Sequence, residues 1–239
     1  MAVWAGVMKL SIIMPVYNEK ETVAVILEKV LAIQLDNMEK EILVVDDGST
    51  DGTKEILQGI QRSLSLAPLQ VFYHPQNRGK GAAVATALAQ VTGDIVIIQD
   101  ADLEYHPEDY PALIMPVLKY GADAVYGTRF LGVHRAFMFW HYLANKGLTM
   151  ATNFLFDSMI SDMEVGYKAF RTEIIKGMKI NAKGFDFEPE VTAKILKKKV
   201  KLFEVPITYS GRDYSEGKKI TWMDGLKAVW TLLKYRFID

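Results

Sequence analysis

The chain has 239 residues, of which 50% are apolar and 24% are charged, a composition typical of a soluble globular protein that buries a sizeable core. Its 28 Lys and Arg residues against 29 Asp and Glu residues give a formal charge of −1, so there is no global basic excess to indicate a nucleic-acid-binding protein. Cysteine is absent, which excludes disulfides, thiolate catalysis and cysteine-based zinc sites and suits a cytoplasmic location.

No segment of the sequence is apolar over a length that predicts a membrane-spanning helix. Residues 1–8 are apolar but lack the basic start and the small-residue cleavage site of a signal peptide. The longest apolar segment, 136–156, is interrupted by His141, Lys146 and two asparagines. We therefore expect a cytoplasmic protein that is able to lie peripherally on the cytoplasmic membrane.

Apolar runs alternate with helical patterns along the first half of the chain. Strands are predicted at 10–14, 41–45, 70–73, 94–99 and 122–126, and helices at 19–33, 53–60, 80–90 and 107–120. Asp51 is positioned to cap the second helix, and Pro107 begins the fourth. This alternation predicts an α/β fold with a mostly parallel central sheet and helices on both faces. No linker divides the sequence, so we expect a single domain over residues 1–239.

Polar residues follow four of the five predicted strands. They read P-V-Y-N-E after the first strand, D-D-G-S-T-D-G-T after the second, D-A-D-L-E after the fourth and G-T-R after the fifth. Each segment alone is explained equally well by an ordinary turn or helix cap. Because parallel strands bring their carboxyl ends to one edge, where such sheets bind ligands, the four segments together predict a site.

The sharpest feature of this edge is a pair of carboxylates, Asp100 and Asp102, directly after an apolar strand. Carboxylate oxygens are the ligands that Mg²⁺ and Mn²⁺ prefer, and such metals usually share their site with substrate phosphates. Glu104 lies two residues further on and is a candidate third ligand. The alternative interpretation is a solvated acidic loop before the helix at Pro107.

Four motifs in this order, P-V-Y-N-E, V-D-D-G-S-T-D-G-T, N-R-G-K-G and D-A-D, resemble those of the family-2 glycosyltransferases with the GT-A fold, over residues 10–129. Three later segments, V-Y-G-T-R-F, G-Y-K-A-F-R and R-D-Y-S-E-G-K, are similar to segments of dolichyl-phosphate mannose synthases and other polyprenyl-phosphate glycosyltransferases. The resemblance implies a Rossmann-like GT-A domain. Its nucleotide-binding half spans about 9–130, and its acceptor-binding half spans about 131–239 and ends in a C-terminal helix.

The resemblance also implies the site residues, position by position. The nucleotide base and ribose are held by Pro15, Tyr17, Glu19, Val45 and Asp47. The donor phosphates and a Mg²⁺ or Mn²⁺ ion lie at Asp100, Ala101 and Asp102, and Glu104, the candidate third ligand, stands at a position that is often Gln or another polar residue in the family. The phosphates of donor or acceptor are met by Arg129, Arg212 and Lys218. Asp100, Asp102, Arg129 and Arg212 are thereby implied as the catalytic residues.

The family reaction is inverting, and the acceptor decides whether it needs a general base. A hydroxyl acceptor benefits from a base, for which Asp162, Glu164 and Glu188 are candidates. A lipid monophosphate needs none, because its second pKa of about 6 leaves it mostly dianionic at neutral pH. The Q-x-x-R-W signature of processive synthases is absent, which disfavours a polysaccharide polymerase.

Two apolar segments in the second half are candidates for helices. Segment 135–160 fits an amphipathic helix in a membrane interface, and fits a core helix or a homodimer contact nearly as well. Near the C-terminus the residues Trp222, Leu226, Val229, Leu233 and Phe237 form one helical stripe, which we expect to face the core.

The favoured interpretation is a metal-dependent transfer of a hexose, mannose from GDP-mannose, to a polyprenyl or dolichyl phosphate at the cytoplasmic membrane face. The alternative enzyme transfers glucose or another sugar from a UDP donor, or uses a hydroxyl acceptor on a soluble glycan. A nucleotidyltransferase is disfavoured because its Gly-rich N-terminal phosphate loop is missing. A non-enzymatic binding domain is disfavoured by the intact carboxylates at Asp100 and Asp102.

Overall fold

Seven strands form one sheet in the computed structural model of the chain, which describes residues 7–63, 68–136, 138–212 and 222–238. The strands are β1 (Met8–Val16), β2 (Met38–Asp46), β3 (Leu69–Tyr73), β4 (Ile95–Ile98), β5 (Ala124–Thr128), β6 (Lys168–Arg171) and β7 (Leu202–Pro206). They lie in the order β3-β2-β1-β4-β6-β5-β7. All neighbouring pairs are parallel except those of β6, which runs antiparallel to both β4 and β5.

Helices pack around this sheet. The described residues form α1 (Val23–Ala32), α2 (Thr53–Ser63), α3 (Lys80–Leu88), α4 (Tyr110–Tyr120), α5 (Phe139–Phe156), α6 (Thr172–Lys176), α7 (Phe187–Lys197) and α8 (Trp222–Phe237). Helix α3 packs on β1 and β2, α4 packs on β5, β6 and β7, and α5, α7 and α8 pack on one another. The predicted α/β class with a mostly parallel sheet is confirmed.

The core follows from strands that are apolar on both faces. Residues Ile12, Ile13, Val44 and Ile97 of β1, β2 and β4 are fully buried. Strands of this kind require cover on both sides of the sheet, which fixes them in its centre. Their carboxyl ends therefore emerge from a rigid base.

The predicted strands and helices of the first half are present with small shifts. Helix α1 begins at Val23 and not at Glu19, because residues 20–22 form a turn in which the Thr22 and Val23 N–H groups donate to the Glu19 carbonyl oxygen. Asp51 does cap α2, since the Thr53 backbone N–H donates to its Oδ1 at 3.0 Å. The segment at Pro107 starts as a 3₁₀ turn before α4.

The sequence prediction did not include β6, β7, α6 and α7. Strand β6 has four residues and begins with Lys168, which is fully buried. Its ammonium group donates to the carbonyl oxygens of Met163 and Val165 and lies 4.6 Å from the ring centre of Tyr126. Burial lowers the pKa of Lys168 to about 8. A four-residue strand that starts with a buried lysine shows no apolar alternation, so the sequence pattern does not predict it.

The C-terminal helix docks by a different face from the one predicted. Ala228, Leu232 and Tyr235 are buried in a small cluster under α8, whereas Leu226 is 61% exposed and Phe237 is 82% exposed. The expected core stripe is therefore wrong, because the small Ala228 lets α8 approach its neighbours by the adjacent face. Within the described residues, no helix is long and apolar enough to cross a membrane.

Candidate active site

A cleft lies at the carboxyl edge of the sheet, where the segments that follow β1, β2 and β4 meet. Its lining includes Glu19 after β1, Asp51 after β2, Asp102 after β4, and Arg212 from the segment after β7. The polar strand ends that the sequence predicts to converge do lie together. The segment after β7 joins them although it is distant in the sequence.

The loops after β1 and β2 are joined by hydrogen bonds from backbone N–H groups to side-chain oxygens. The Asn18 N–H donates to Ser49 Oγ at 2.9 Å, and the Thr50 N–H donates to Asn18 Oδ1 at 2.9 Å. The Glu19 N–H donates to Thr53 Oγ1, also at 2.9 Å. These contacts hold the loops as one rigid unit against which a ligand can bind.

Arg212 brings together acidic side chains from two of these loops. Its two terminal nitrogens each donate to the Glu19 carboxylate at 3.2 Å, and Nη2 lies 3.3 Å from Asp102 Oδ2. The Arg212 backbone N–H donates to Glu104 Oε1 at 2.7 Å. One guanidinium group thus occupies the position between the carboxylates of the first and fourth strand ends.

Asp102 carries a negative charge that this arrangement neutralises only in part. Burial raises the pKa of Asp102, and the charges of Asp100 and Glu104 raise it further, while Arg212 lowers it; the result is a pKa of about 7. A further cation nearby would stabilise the ionised form of Asp102.

Asp100 turns the other way, toward a buried lysine. Lys80 Nζ lies 2.7 Å from Asp100 Oδ1 and 2.7 Å from Glu188 Oε1. Burial would lower the pKa of Lys80, but the charges of Asp100 and Glu188 outweigh it and raise the pKa well above its ordinary value. Lys80 thus ties the end of β4 to the first turn of α7. In the sequence Lys80 stands out only as part of the N-R-G-K-G motif, and no sequence pattern predicts that Glu188 is its partner.

A glycine gives Asp100 the room that it occupies. A Cβ atom on Gly166 would lie 2.4 Å from Asp100 Oδ2, closer than atoms can approach. The Gly166 N–H also donates to the Tyr105 hydroxyl at 2.9 Å. The segment before β6 is therefore held directly against the predicted metal ligand.

The predicted metal ligands fit a divalent cation by chemistry, although they are not gathered around one point. Among the described residues, no group of three or more His, Asp or Glu side chains is arranged to hold a metal ion. Asp100 contacts Lys80, whereas Asp102 and Glu104 contact Arg212. Their oxygen donors suit Mg²⁺ or Mn²⁺, and the raised pKa of Asp102 indicates missing positive charge.

The Asp47 carboxylate organises the loop before α3. Its oxygens accept hydrogen bonds from the backbone N–H groups of Arg78, at 3.0 Å, and Gly79, at 2.7 Å, and Oδ1 lies 2.6 Å from His74 Nδ1. Asp47 is buried. It therefore shapes the N-R-G-K-G loop, and its predicted contact with the nucleotide stays a prediction.

The other predicted nucleotide residues differ in what their side chains offer. The side chain of Val45 lies in the core and that of Ala101 is also buried, so only the backbones of these two residues are able to contact a ligand. Pro15, which pairs with Val45 in the sheet register, and Tyr17 are half-buried. Lys218 lies outside the described residues.

Arg129, a predicted phosphate ligand, is bound to an internal carboxylate. Its Nε and Nη2 donate to Asp162 Oδ2 and Oδ1, each at 2.7 Å, and both residues are buried. The guanidinium carbon also lies 5.2 Å from the ring centre of Tyr209. Arg129 thus joins the end of β5 to the segment before β6, and Asp162 is committed to it.

Glu164 differs from the other two candidate bases. Asp162 is paired with Arg129 and Glu188 with Lys80, but Glu164 Oε1 is buried and has no hydrogen-bond partner among the described residues. Burial and the charge of Glu188 raise the pKa of Glu164 to about 7.

Comparison with known proteins identifies the family. The sequence model of glycosyl transferase family 2 matches residues 11–178. The chain is 32% identical to a dolichol-phosphate mannosyltransferase of Pyrococcus furiosus, over 95% of this chain and 64% of that protein. It is 28% identical to an undecaprenyl-phosphate 4-deoxy-4-formamido-L-arabinose transferase of Yersinia enterocolitica, over 88% of this chain and 62% of that protein. The chain therefore spans less than two thirds of the length of these relatives.

Solved structures show the same fold. Glucosyl-3-phosphoglycerate synthase of Mycobacterium tuberculosis in complex with UDP superimposes with a TM-score of 0.75 at 21% identity, over 97% of this chain and 81% of that chain. Its complex with Mn²⁺, UDP and glucosyl-3-phosphoglycerate gives a TM-score of 0.73 at 21% identity, over 97% and 81%.

The mostly parallel sheet, with the acidic end of β4 and the loops after β1 and β2 at one edge, defines a GT-A glycosyltransferase fold. The chain belongs to glycosyl transferase family 2. The family resemblance stated from the sequence motifs is confirmed.

Proposed function

We propose that this protein is an inverting, metal-dependent glycosyltransferase that moves mannose from GDP-mannose to a polyprenyl phosphate at the cytoplasmic face of a membrane. The observation that carries the proposal is the meeting of Glu19, Asp102 and Arg212 at the mouth of the cleft. It combines a nucleotide-side loop, a carboxylate suited to a metal, and a phosphate-binding cation. The names of the two curated relatives support a polyprenyl-phosphate acceptor.

The donor diphosphate fits between the acidic residues and Arg212. A Mg²⁺ or Mn²⁺ ion held by Asp102 and Asp100, with Glu104 beside them, would neutralise the charge that develops on the leaving diphosphate. Arg212 now donates to two carboxylates, and guanidinium groups bind phosphate in the same bidentate way. Arg212 can therefore exchange a carboxylate for a phosphate when the donor binds.

The acceptor phosphate needs no proton removed by the protein. One of its oxygens attacks the anomeric carbon on the side opposite the diphosphate. A new C–O bond forms while the bond to the diphosphate breaks, and the electron pair leaves with the nucleoside diphosphate. A phosphate monoester is mostly dianionic near neutral pH. This agrees with Asp162 and Glu188, which are already paired with Arg129 and Lys80.

Apolar side chains on α5 and α8 suit a membrane surface near the acceptor side. Trp140 and Phe154 of α5 are 75% and 87% exposed, and Trp230 of α8 is 69% exposed. Helix α5 carries no acidic residue, and α8 carries Lys227 and Lys234. Apolar rings with lysines nearby are the composition of helices that lie in an anionic lipid interface.

The function is tested with a panel of sugar nucleotides. Purified protein, Mn²⁺ and a short polyprenyl phosphate are incubated with GDP-mannose, UDP-glucose or GDP-glucose, and the glycolipid is measured by mass spectrometry after solvent extraction. We expect mannosyl lipid from GDP-mannose and a large loss in Asp102→Asn. Transfer from a UDP donor alone, or to a soluble hydroxyl acceptor alone, would refute the proposal in favour of the alternative enzyme.

The acceptor type is tested separately with charge variants. A phosphate acceptor predicts that Glu188→Gln adds little new pH dependence near neutrality. A hydroxyl acceptor predicts that one carboxylate becomes indispensable and that the rate falls as this base is protonated. Arg212→Ala should impair transfer in both cases, because Arg212 is proposed to bind the donor diphosphate. The profile of rate against pH for Glu188→Gln therefore distinguishes the two cases.

A further inference from the structure

Residues 162–166, the segment before β6, form a wall beside the acidic end of β4, where Gly166 meets Asp100. At one end Asp162 holds Arg129 through two hydrogen bonds of 2.7 Å. At the other end Gly166 packs against the carboxylate of Asp100. Glu164 lies midway between these anchors and is half-buried. The charges that act on its carboxylate are those of Glu188, Lys168, Arg129 and Asp162, so it lies within the charged cluster beside Asp100.

Glu164 is the carboxylate of this wall that lacks a hydrogen-bond donor in the described part of the chain. Its Oε1 atom is buried and unpaired. Asp100 and Glu188 share Lys80, and Asp162 is satisfied by Arg129. Leaving a buried acceptor unpaired is costly, so such atoms usually await a donor from a ligand or water.

The charges around Glu164 indicate what kind of group can supply that donor. The cluster contains the carboxylates Asp100, Asp162, Glu164 and Glu188 against the cations Lys80, Arg129 and Lys168. Each cation of the cluster is already paired within the protein, whereas the buried Oε1 of Glu164 is an acceptor without a donor among the described residues. A neutral hydroxyl can supply that donor. Sugar hydroxyl groups are such donors.

We propose that Glu164 accepts a hydrogen bond from a hydroxyl group of the sugar that is transferred, and that it thereby determines which sugar the enzyme prefers. The inference rests on the proposed glycosyltransferase function. A carboxylate that bonds a sugar hydroxyl discriminates against sugars that lack it, because its oxygen is then left buried and unpaired. Glu164 would act as a specificity residue, in contrast to the general base that a hydroxyl acceptor would require.

The test combines a change in the protein with a change in the sugar. The value of kcat/KM is measured for GDP-mannose and its four monodeoxy analogues, with wild-type protein and with Glu164→Ala. We expect one analogue to be about 10-fold to 100-fold poorer with wild-type protein, the effect of one charge-assisted hydrogen bond. In Glu164→Ala this penalty should fall below about 3-fold while the other penalties stay. The same pattern of penalties in both proteins would overturn the inference, as would an equal loss of turnover with every donor, which marks a general base.

Calorimetry provides a readout that does not depend on turnover. Glu164→Ala should bind GDP as the wild type does and bind GDP-mannose more weakly, because only the sugar has lost its partner. Equal weakening of both ligands would contradict the inference. Glu164→Gln, which keeps an acceptor oxygen and the side-chain volume, should show an intermediate effect. It also serves as the test variant if Glu164→Ala does not fold.

The failure of the proposed function remains distinguishable from the failure of this inference. Absence of transfer to polyprenyl phosphate by the wild type would refute the function. The calorimetric difference between the nucleotide and its sugar conjugate would still decide the role of Glu164.

Discussion

Arg129 and Asp162 form a buried ion pair in which two guanidinium nitrogens meet two carboxylate oxygens, each at 2.7 Å. The Arg129 backbone N–H adds a third contact at 3.2 Å. Asp162 is thus engaged by one arginine through both its side chain and its backbone. The pair joins the end of β5 to the segment before β6, and it makes Asp162 part of the scaffold of the site.

Removing Asp162 should therefore cost stability. Asp162→Ala leaves the Arg129 charge buried without a partner, which typically lowers the free energy of unfolding by about 3–5 kcal/mol. Urea denaturation measures this loss. Glu173→Gln is the matched control, because Glu173 is 73% exposed in its side chain and lies 3.8 Å from Arg171; its effect should stay within about 0.5 kcal/mol. A loss below about 1 kcal/mol in Asp162→Ala would mean that the pair is not structural.

Asp102→Asn should reduce the transfer rate by about 100-fold or more. The change removes the charge that is proposed to hold a divalent cation against the donor diphosphate, a loss comparable to removing a main electrostatic stabiliser. The rate is measured at increasing Mn²⁺ concentration to separate weaker metal binding from slower chemistry. Glu108→Gln, on a side chain that is 60% exposed, should leave the rate unchanged. A nearly normal rate in Asp102→Asn would exclude its metal role.

Asp47→Ala should weaken nucleotide binding without acceptor present. The loss of its carboxylate leaves the Arg78 and Gly79 N–H groups of the N-R-G-K-G loop without partners, and the free energy of unfolding should fall by about 1–3 kcal/mol. Calorimetry with GDP should show about a 10-fold higher Kd, equal to about 1.4 kcal/mol. Asp36→Asn, at an exposed position, is the control. Unchanged affinity with altered turnover would contradict a role of Asp47 at the nucleotide.

Gly166→Ala should impair transfer because the new methyl group displaces the Asp100 carboxylate, which lies 2.4 Å from the position of that carbon. We expect at least about a 10-fold loss, in keeping with the cost of a misplaced catalytic group. Circular dichroism verifies that the variant is folded. Gly147→Ala is the matched control in α5, where nothing lies within 4 Å of the added carbon. It should keep activity and stabilise the helix by about 0.5–1 kcal/mol. Equal activity in the two variants would show that Asp100 tolerates the displacement.

The raised pKa of Glu164 predicts a pH dependence of stability. Its pKa is about 7 in the folded protein against 4.5 for the free side chain, so the folded state favours the protonated carboxyl. The resulting stabilisation is complete below about pH 4.5 and is lost as the pH rises through 7. Glu164→Gln cannot titrate. The free energy of unfolding of the wild type minus that of the variant should therefore fall by on the order of 2 kcal/mol across this range.

Denaturant titrations between pH 4.5 and 8 measure this difference. Glu28→Gln, at an exposed position on α1, provides the control, since its difference from the wild type should stay level over the same range. A level difference for Glu164→Gln as well would show that Glu164 ionises normally in the folded protein.

The sequence predicted the strands and helices of the first half well, because the information there is local. Each of the first strands is a short apolar run followed at once by its polar loop, so Asp102 could be placed at a strand end from its neighbours alone. The capping role of Asp51 was likewise predictable, because its partner Thr53 lies only two residues further along the chain.

The contacts of the second half could not be predicted because they join distant residues. Lys80 meets Glu188 although 108 positions separate them, and no periodicity reports such a pair. Arg212 was expected to meet phosphates, yet its contacts with Glu19 and Asp102 depend on how the segment after β7 folds back over the cleft. The face by which α8 docks likewise depends on its partner helices.

The reversed direction of β6 brings a separate segment of the chain to the edge of the sheet where β4 ends. Because β6 runs opposite to β4, the segment that enters it arrives at the same edge where β4 leaves, and Gly166 reaches Asp100 there. That segment is short and shares no residue with the loops after β1 and β2. Under the proposed role of Glu164, exchanging this one residue between family members would change the sugar while the loops after β1 and β2 stay as they are. The sugar and the nucleotide would then be selected by separate segments that meet at one edge of the sheet.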